Sequence, residues 1–280
     1  MNWAILNPQG IIALQERDLM LVATLLMLII VIPVFIFTFY VVWKYRATKN
    51  PKKYTPNWDH SVLIEGIWWG IPCLIILILS VITWTSSHTL DPYRKIAADK
   101  APLVVQVVAL DWKWLFIYPE QGIATTNLLE IPVDRPISLE ITADAPMNSF
   151  WIPQLAGQMY AMPGMSTELN IVANEPGDYP GSSANISGTG FAGMKFTARA
   201  VSEEDFEAWV ASVRMSQGML HWSEYEVLSK PSTTTPAMLY SMIDENLYDK
   251  IVMKFMTPMN HSDNLVHEEN MMMPGMHMSH

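Results

Sequence analysis

A single cysteine, Cys73, stands in 280 residues, which excludes a disulfide framework and a cysteine-based zinc site. It lies inside an apolar run, where a small buried thiol is the ordinary expectation. Charge is scarce as well: 16% of residues are Asp, Glu, Lys or Arg against 50% hydrophobic, with a mean hydropathy of +0.17. Basic residues are the rarer sign, 17 against 27 acidic ones. The net charge of −10 argues against nucleic acid, because phosphate binding needs clustered Lys and Arg. No Gly-rich phosphate loop, nucleophile–base pair or internal repeat is found. The chain is too apolar for an ordinary soluble domain and too polar for a pure membrane bundle. A short membrane part joined to a soluble part fits both observations.

Long charge-free runs are what the sequence does have. Leu19 to Trp43 gives 25 residues without a charge, and Gly66 to Ser87 gives 22. At about 1.5 Å per residue, either run crosses a hydrocarbon core of roughly 30 Å. Pro33 and Pro72 are tolerable there, since neighbouring groups re-satisfy the freed carbonyls. The first run is too long for a cleaved signal peptide and has no small-residue cleavage site after it. The predicted spans are residues 19–43 and 64–87, preceded by an external segment 1–18 and joined by a loop over 44–63. That loop holds Lys44, Arg46, Lys49, Lys52 and Lys53 against Asp59, which predicts a cytoplasmic loop with both termini outside, in the periplasm of a bacterial host. Trp43, Trp58, Trp68, Trp69 and Trp84 fall near the span ends, as interfacial anchors do.

After a polar linker over 88–100 the periodicity changes. LVVQVVALDWKWLFIYP, NLLEIPV, ISLEITAD, SFWIPQ, STELNIVAN and MKFTARAV read as short strands between Pro, Gly, Asn and Asp turns. Strands at that density predict a β-sandwich or Greek-key barrel over residues 101–201. Ser202 and Asp205 form a capping box ahead of EEDFEAWVASVRM. The spacing over 237–256 predicts a further amphipathic helix, so that helices occupy 202–256. Residues 257–280, with His261, His267, His277 and His280 among many methionines, predict a disordered tail.

Several blocks coincide in one order: WKYRA (43–47), YTPNWDHS (54–61), DWKWLFIYPEQGIAT (111–125), MNSFWIPQL (147–155), ANEPG (173–177) and GFAGMKF (190–196). On these blocks the chain resembles subunit II of the haem–copper respiratory oxidases, and among them the ubiquinol oxidases of the cytochrome bo type. The resemblance covers residues 1 to about 256. It implies a membrane-anchored α+β chain, a two-helix transmembrane hairpin carrying a periplasmic cupredoxin-like Greek-key β-sandwich with C-terminal helices. In cytochrome c oxidases that sandwich holds a binuclear copper centre through H-S-F/W and C-x-E-x-C-x-x-x-H-x-x-M motifs. Laid on this chain without gaps, the first His falls on Asn148 and the two Cys on Ser183 and Ser187. The carbonyl residue becomes Asn185, the second His Phe191, and the Met remains Met194.

Soft anionic thiolates hold such a centre; Ser hydroxyls are hard and stay protonated, and Phe191 has no lone pair. The expectation is a domain without copper. The resemblance then implies that ubiquinol, not cytochrome c, donates electrons, and that haems and catalytic copper lie in a partner, subunit I. It also implies further oxidase subunits and membrane lipid as partners, and no cofactor or catalytic residue in this chain. Glu65, at the cytoplasmic start of the second span, matches a glutamate that the family sets at the mouth of a proton channel; an ionisable residue there is a functional candidate in any case. Its bland alternative is an interfacial carboxylate facing headgroup water.

Trp112, Trp114, Phe116 and Tyr118 resemble the aromatic patch through which cytochrome c-using relatives accept electrons, but strand packing is the better reading. Relatives carry a lipoprotein signal ending in an acylated Cys. Met1 stands where that Cys falls, which leaves open a chain without the lipid and one with a signal ahead of Met1. Two rival readings are a cytochrome c oxidase subunit II and a membrane-tethered copper-binding module that uses the Met/His tail.

Overall fold

A computed structural model of the chain describes residues 4–46, 61–98, 100–232 and 236–256. The basic loop residues Lys49, Lys52 and Lys53, with Trp58 and the Met/His tail, lie outside the described residues. Two helices, α1 (Ile11–Lys44) and α2 (Val62–Thr89), are long and apolar enough to cross a membrane. Over their charge-free stretches, 19–43 and 66–87, both are apolar on nearly every side, and only Ala13 in α1 and Ile75 in α2 are buried. A helix of that kind needs a non-aqueous surrounding. Thr24, Thr38 and Ser80 each donate to the carbonyl four residues back, which satisfies these hydroxyls within the helix.

The strand-rich part begins with β1 (Leu103–Leu110), β2 (Lys113–Tyr118), β3 (Ile123–Thr126), β4 (Leu128–Pro132) and β5 (Ile137–Ala143). It continues through β6 (Asn148–Trp151), β7 (Met159–Ala161), β8 (Thr167–Ile171), β9 (Gly177–Ser183) and β10 (Lys195–Val201). Helix α3 (Glu203–Arg214), β11 (Met219–Leu220), α4 (Trp222–Leu228), β12 (Leu239–Tyr240), β13 (Met242–Ile243) and α5 (Leu247–Met253) follow. One sheet runs β12-β3-β2-β1-β5-β8 and the other β4-β10-β9-β6-β7. The pairs β1/β5 and β10/β4 are parallel, so the chain crosses between sheets and closes a cupredoxin-like β-sandwich.

Strand β2 is buried along its whole length, because both its faces are covered. Trp114, Phe116 and Tyr118 point into the sandwich core with Phe150 and Phe196; the Phe150 and Phe196 rings stack at 4.9 Å. Leu115 and Ile117 point the other way, against Leu220, Tyr225, Leu228, Leu247 and Ile251 of the C-terminal arm. The aromatic run is therefore core. Lys113 belongs to the outer face and does not interrupt that packing: its ammonium donates to the Lys230 carbonyl and the Ser232 hydroxyl, both at 2.7 Å. Burial pushes the Lys113 pKa down, partly opposed by Asp111.

The Ser202 cap is in place, its hydroxyl accepting from the Asp205 amide at 3.1 Å. The helix expected over 237–256 is not continuous. Met238 to Ile243 is extended, with the Met238 amide donating to Thr126 Oγ1 and Leu239 and Tyr240 pairing with β3. Only Leu247–Met253 is helical, entered through Asn246 at φ 64°. An open strand edge needs partners for its amides, and that demand outweighs a helical period. The arm is fastened by Asp144, which accepts from Tyr225 Oη at 2.6 Å and from Lys254 Nζ at 2.8 and 2.9 Å.

Helix α1 also reaches the sandwich. Gln9 donates to the Gln154 carbonyl at 2.8 Å and accepts from the Asn174 amide at 3.0 Å. A Cβ at Gly10 would meet the carbonyl oxygens of Leu155 and Val172 at 2.7 and 2.8 Å. Only glycine allows that approach.

Glu130 on β4 has Arg199 of β10 as its strand neighbour, and Arg199 binds Asp178 at 2.7 Å. Glu130 is 5% exposed, and burial, opposed by Arg199 and reinforced by Asp178 and Asp205, pushes its pKa up to about 7. The folded chain thus keeps a proton that the unfolded chain releases near 4.5, and stability falls as pH rises from there to about 7. Glu130→Gln is expected to flatten that slope and to stabilise the domain at pH 8 by on the order of 2 kcal/mol. Thermal unfolding of the full chain in detergent at pH 5 and pH 8 checks this; an unchanged slope would assign the dependence to another group.

Candidate functional site

The positions that the copper motif would occupy gather at one end of the sandwich. Asn148 begins β6 and Ser183 ends β9, and the pairing of Phe150 with Ser183 brings the strand ends together. The Ser183 hydroxyl donates to Asn148 Oδ1 at 3.0 Å and lies 3.2 Å from the Asn185 carbonyl. It also accepts the backbone amides of Ser149 and Asn185 at 3.5 Å. Asn148 Nδ2 is used by the Pro146 carbonyl at 2.8 Å, and Asn185 Nδ2 by the Met147 carbonyl at 2.9 Å. Asn148 is 1% exposed and Ser183 5%. At that depth each polar atom needs a partner, and here the partners are one another.

Three positions stand outside this knot. Met194 is fully buried in the aromatic core, and only its carbonyl joins in, accepting from the Ser183 amide at 3.2 Å. Phe191 lies in the short 3-10 turn Phe191–Gly193, half-buried. Ser187 keeps a buried hydroxyl without a partner among the described residues, while its carbonyl accepts from Trp112 Nε1 at 3.4 Å. The Trp112 indole closes over the loop. A Cβ on Gly190 would meet its ring at 2.2 Å, and Gly188, at φ +120°, lies against it as well. Trp112 itself sits at φ 64° in the β1–β2 turn. The hydroxyl–carboxamide knot and the indole lid were not legible beforehand; the one sequence signal was a pair of glycines flanking Thr189.

The donors thus gathered are two carboxamides, two hydroxyls and a thioether, with no thiolate and no imidazole. Among the described residues no three His, Cys, Asp or Glu side chains cluster as a metal site. Glu65 stands apart, in the first turn of α2, its amide bonded to the Ser61 carbonyl at 2.9 Å. It is exposed beside Leu63, Ile64, Trp68 and Trp69. The 24 residues of helix between Glu65 and Thr89 separate it from the sandwich end of α2 by roughly 36 Å.

Residues 119–201 match the family model "Cytochrome C oxidase subunit II, periplasmic domain", and residues 214–259 match "COX Aromatic Rich Motif". Cytochrome bo(3) ubiquinol oxidase subunit 2 of Pseudomonas putida is 52% identical over 254 residues, 91% of this chain and 81% of that protein. Ubiquinol oxidase subunit 2 of Acetobacter aceti is 47% identical over 253 residues, 90% of this chain and 82% of that protein. The chain belongs to the ubiquinol oxidase subunit 2 family. It is a subunit of a terminal oxidase, an oxidoreductase complex. Among solved structures, the periplasmic domain of subunit II of cytochrome oxidase of Bradyrhizobium japonicum is 23% identical, covering 41% of this chain and 96% of that one at a TM-score of 0.39. Within this oxidase subunit the aromatic-rich match coincides with the arm that seals the outer face of the sandwich, from Arg214 to Lys254.

Removing the centre of the polar knot should cost stability. Ser183→Ala leaves the buried Asn148 carbonyl oxygen and two amides short of a partner, a loss of about 1–3 kcal/mol. Denaturant unfolding of the full chain measures it; a loss near zero would mean that the knot contributes no net stability.

Proposed function

We propose that this chain is the copper-free anchoring subunit of a ubiquinol oxidase, and takes no part in the redox chemistry itself. The observation that carries the reading is the polar knot: the hydroxyl of Ser183 and the carboxamide of Asn148 satisfy each other. A binuclear copper centre needs bridging thiolates, and the residues present do not fit one. Phe191 and the buried Met194 supply no replacement. Without a one-electron acceptor in this domain, a soluble cytochrome c has nowhere to deliver its electron. The names of the Pseudomonas and Acetobacter relatives support ubiquinol as the donor. On this reading subunit I holds the haems and the catalytic copper, two quinols and one O2 give two quinones and two waters, and the complex translocates protons.

The charge distribution supports an orientation with the 44–63 loop in the cytoplasm and the sandwich in the periplasm of the inner membrane. In that orientation Glu65 is at the cytoplasmic end of α2, on the side from which protons are drawn. Its first-turn position supports a role as the mouth of a proton path into subunit I. A carboxylate at a helix N-terminus stabilises the positive end of the helix dipole and can accept a proton from bulk water. The Gln9 and Gly10 contacts with the Gln154, Leu155 and Val172 backbone support a further role, holding the sandwich against the start of α1.

Oxygen uptake by the complex purified through a tag on this chain tests the donor. Ubiquinol is expected to drive rapid uptake and reduced cytochrome c next to none; brisk uptake with cytochrome c would overturn the reading. Glu65→Gln is expected to slow quinol-driven turnover several-fold and to lower proton pumping, with the complex still assembled. Full turnover and pumping in that variant would remove Glu65 from the proton path.

A further inference from the structure

The short parallel pair β11–β13 carries a donor set that the oxidase reading does not use. Met219 pairs with Met242 and Leu220 with Ile243, and the ladder continues through the Asp244 amide to the Leu220 carbonyl at 3.3 Å. His221 therefore stands opposite Asp244. Side chains alternate along extended chain, so Met219, His221, Met242 and Asp244 share one face while Leu220 and Ile243 share the other. Burial agrees with this alternation. Leu220 is fully buried in the outer cluster, whereas Met219 is 52% exposed and Met242 50%. Neighbouring strands lie about 4.8 Å apart and residues two apart on a strand about 6.6 Å. Two thioethers, an imidazole and a carboxylate thus bound one small surface rectangle.

The carboxylate has a definite task in it. Asp244 Oδ1 lies 2.8 Å from His221 Nδ1, and Oδ2 accepts the Trp222 amide at 3.0 Å. With the proton on Nδ1 held by Asp244, the lone pair of His221 is on Nε2, and the side chain is 43% exposed. A carboxylate behind an imidazole is the usual support of a metal-ligating histidine, since it fixes the ring and its tautomer. The backbone is fixed too. Ser241 donates both its amide and its hydroxyl to the Gly218 carbonyl, at 2.8 and 3.0 Å. A Cβ at Gly218 would meet the Leu239 carbonyl at 2.3 Å.

Exposed methionines on adjacent strands do nothing for the core, and thioethers with one imidazole are a soft donor set that selects Cu(I) over harder divalent ions. We propose that the outer face of β11–β13 is a surface Cu(I) site, with Met219, Met242 and His221 Nε2 as ligands and Asp244 as the positioning residue. It is separate from the polar knot at the end of the sandwich and independent of the reading that the knot holds no copper. A neutral donor set of this kind favours the cuprous state and binds a cuprous ion without changing its oxidation state.

The test is anaerobic titration of the full-length chain in detergent with Cu(I) against a chromophoric Cu(I) chelator. Methionine methyl groups are 13C-labelled and followed by NMR in the same sample. The expected result is that the Met219 and Met242 methyl resonances shift together with the first equivalent of Cu(I). The double variant Met219→Leu/Met242→Leu, a volume-conserving exchange on an exposed face, should bind one equivalent fewer. Asp244→Asn keeps the side-chain shape and should weaken the site roughly tenfold or more. Removal of residues 257–280, whose His and Met side chains are further donors for Cu(I), should leave the Met219 and Met242 shifts intact. Unchanged stoichiometry in the double variant, or no shift at either methyl, would overturn the proposal.

Discussion

The architecture depends on one constraint: β2 must be buried on both of its faces. Trp114, Phe116 and Tyr118 fill the sandwich, and Leu115 and Ile117 on the same strand need an equally dry cover on the other side. A sandwich alone leaves that outer face in water, at about 25 cal/mol for every Å² of apolar surface exposed. The C-terminal arm is the cover. Its Tyr225, Leu228, Leu247 and Ile251 have no other core to join, and the domain and its arm are therefore one cooperative unit. The Asp144 cluster follows from the same constraint, since a carboxylate buried under the arm must be paired by groups that the arm supplies.

The end of the sandwich answers a different demand. Loops that come together this closely bury their own polar atoms, and those atoms need partners. Asn148, Ser183 and Asn185 meet that demand by bonding one another and the backbone, and the Trp112 indole packs against Gly188 and Gly190 of the loop. Family membership and this local chemistry agree without being the same argument. The family match spans about nine-tenths of the chain, whereas the donors concern what the loops at one end of the sandwich can hold.

How much could be read beforehand differs by element. The two long apolar helices were legible because runs of 25 and 22 residues without a charge suit a helix able to cross a membrane, and the strands because β-branched and aromatic runs alternate with turn residues. The Ser202 cap was legible from residue types alone. The segment from Met238 to Ile243 was not, because its helical period is a local property and the open amides of the β3 edge are a distant one. The place of Lys113 was not legible either, because its acceptors, Lys230 and Ser232, are more than a hundred residues further on.

By itself the sequence determined the division into two long apolar helices and a strand-rich domain, since both rest on composition and local period. It also determined which donors the loop end can offer, because a Ser hydroxyl cannot act as a thiolate in any fold. Tertiary structure alone decided that those donors satisfy one another, that Gly10 is pressed against the sandwich, and that Met219, His221, Met242 and Asp244 share a face. Each of these is a pairing between residues distant in the chain, and a pairing is set by which surfaces must be buried together rather than by any neighbour in sequence.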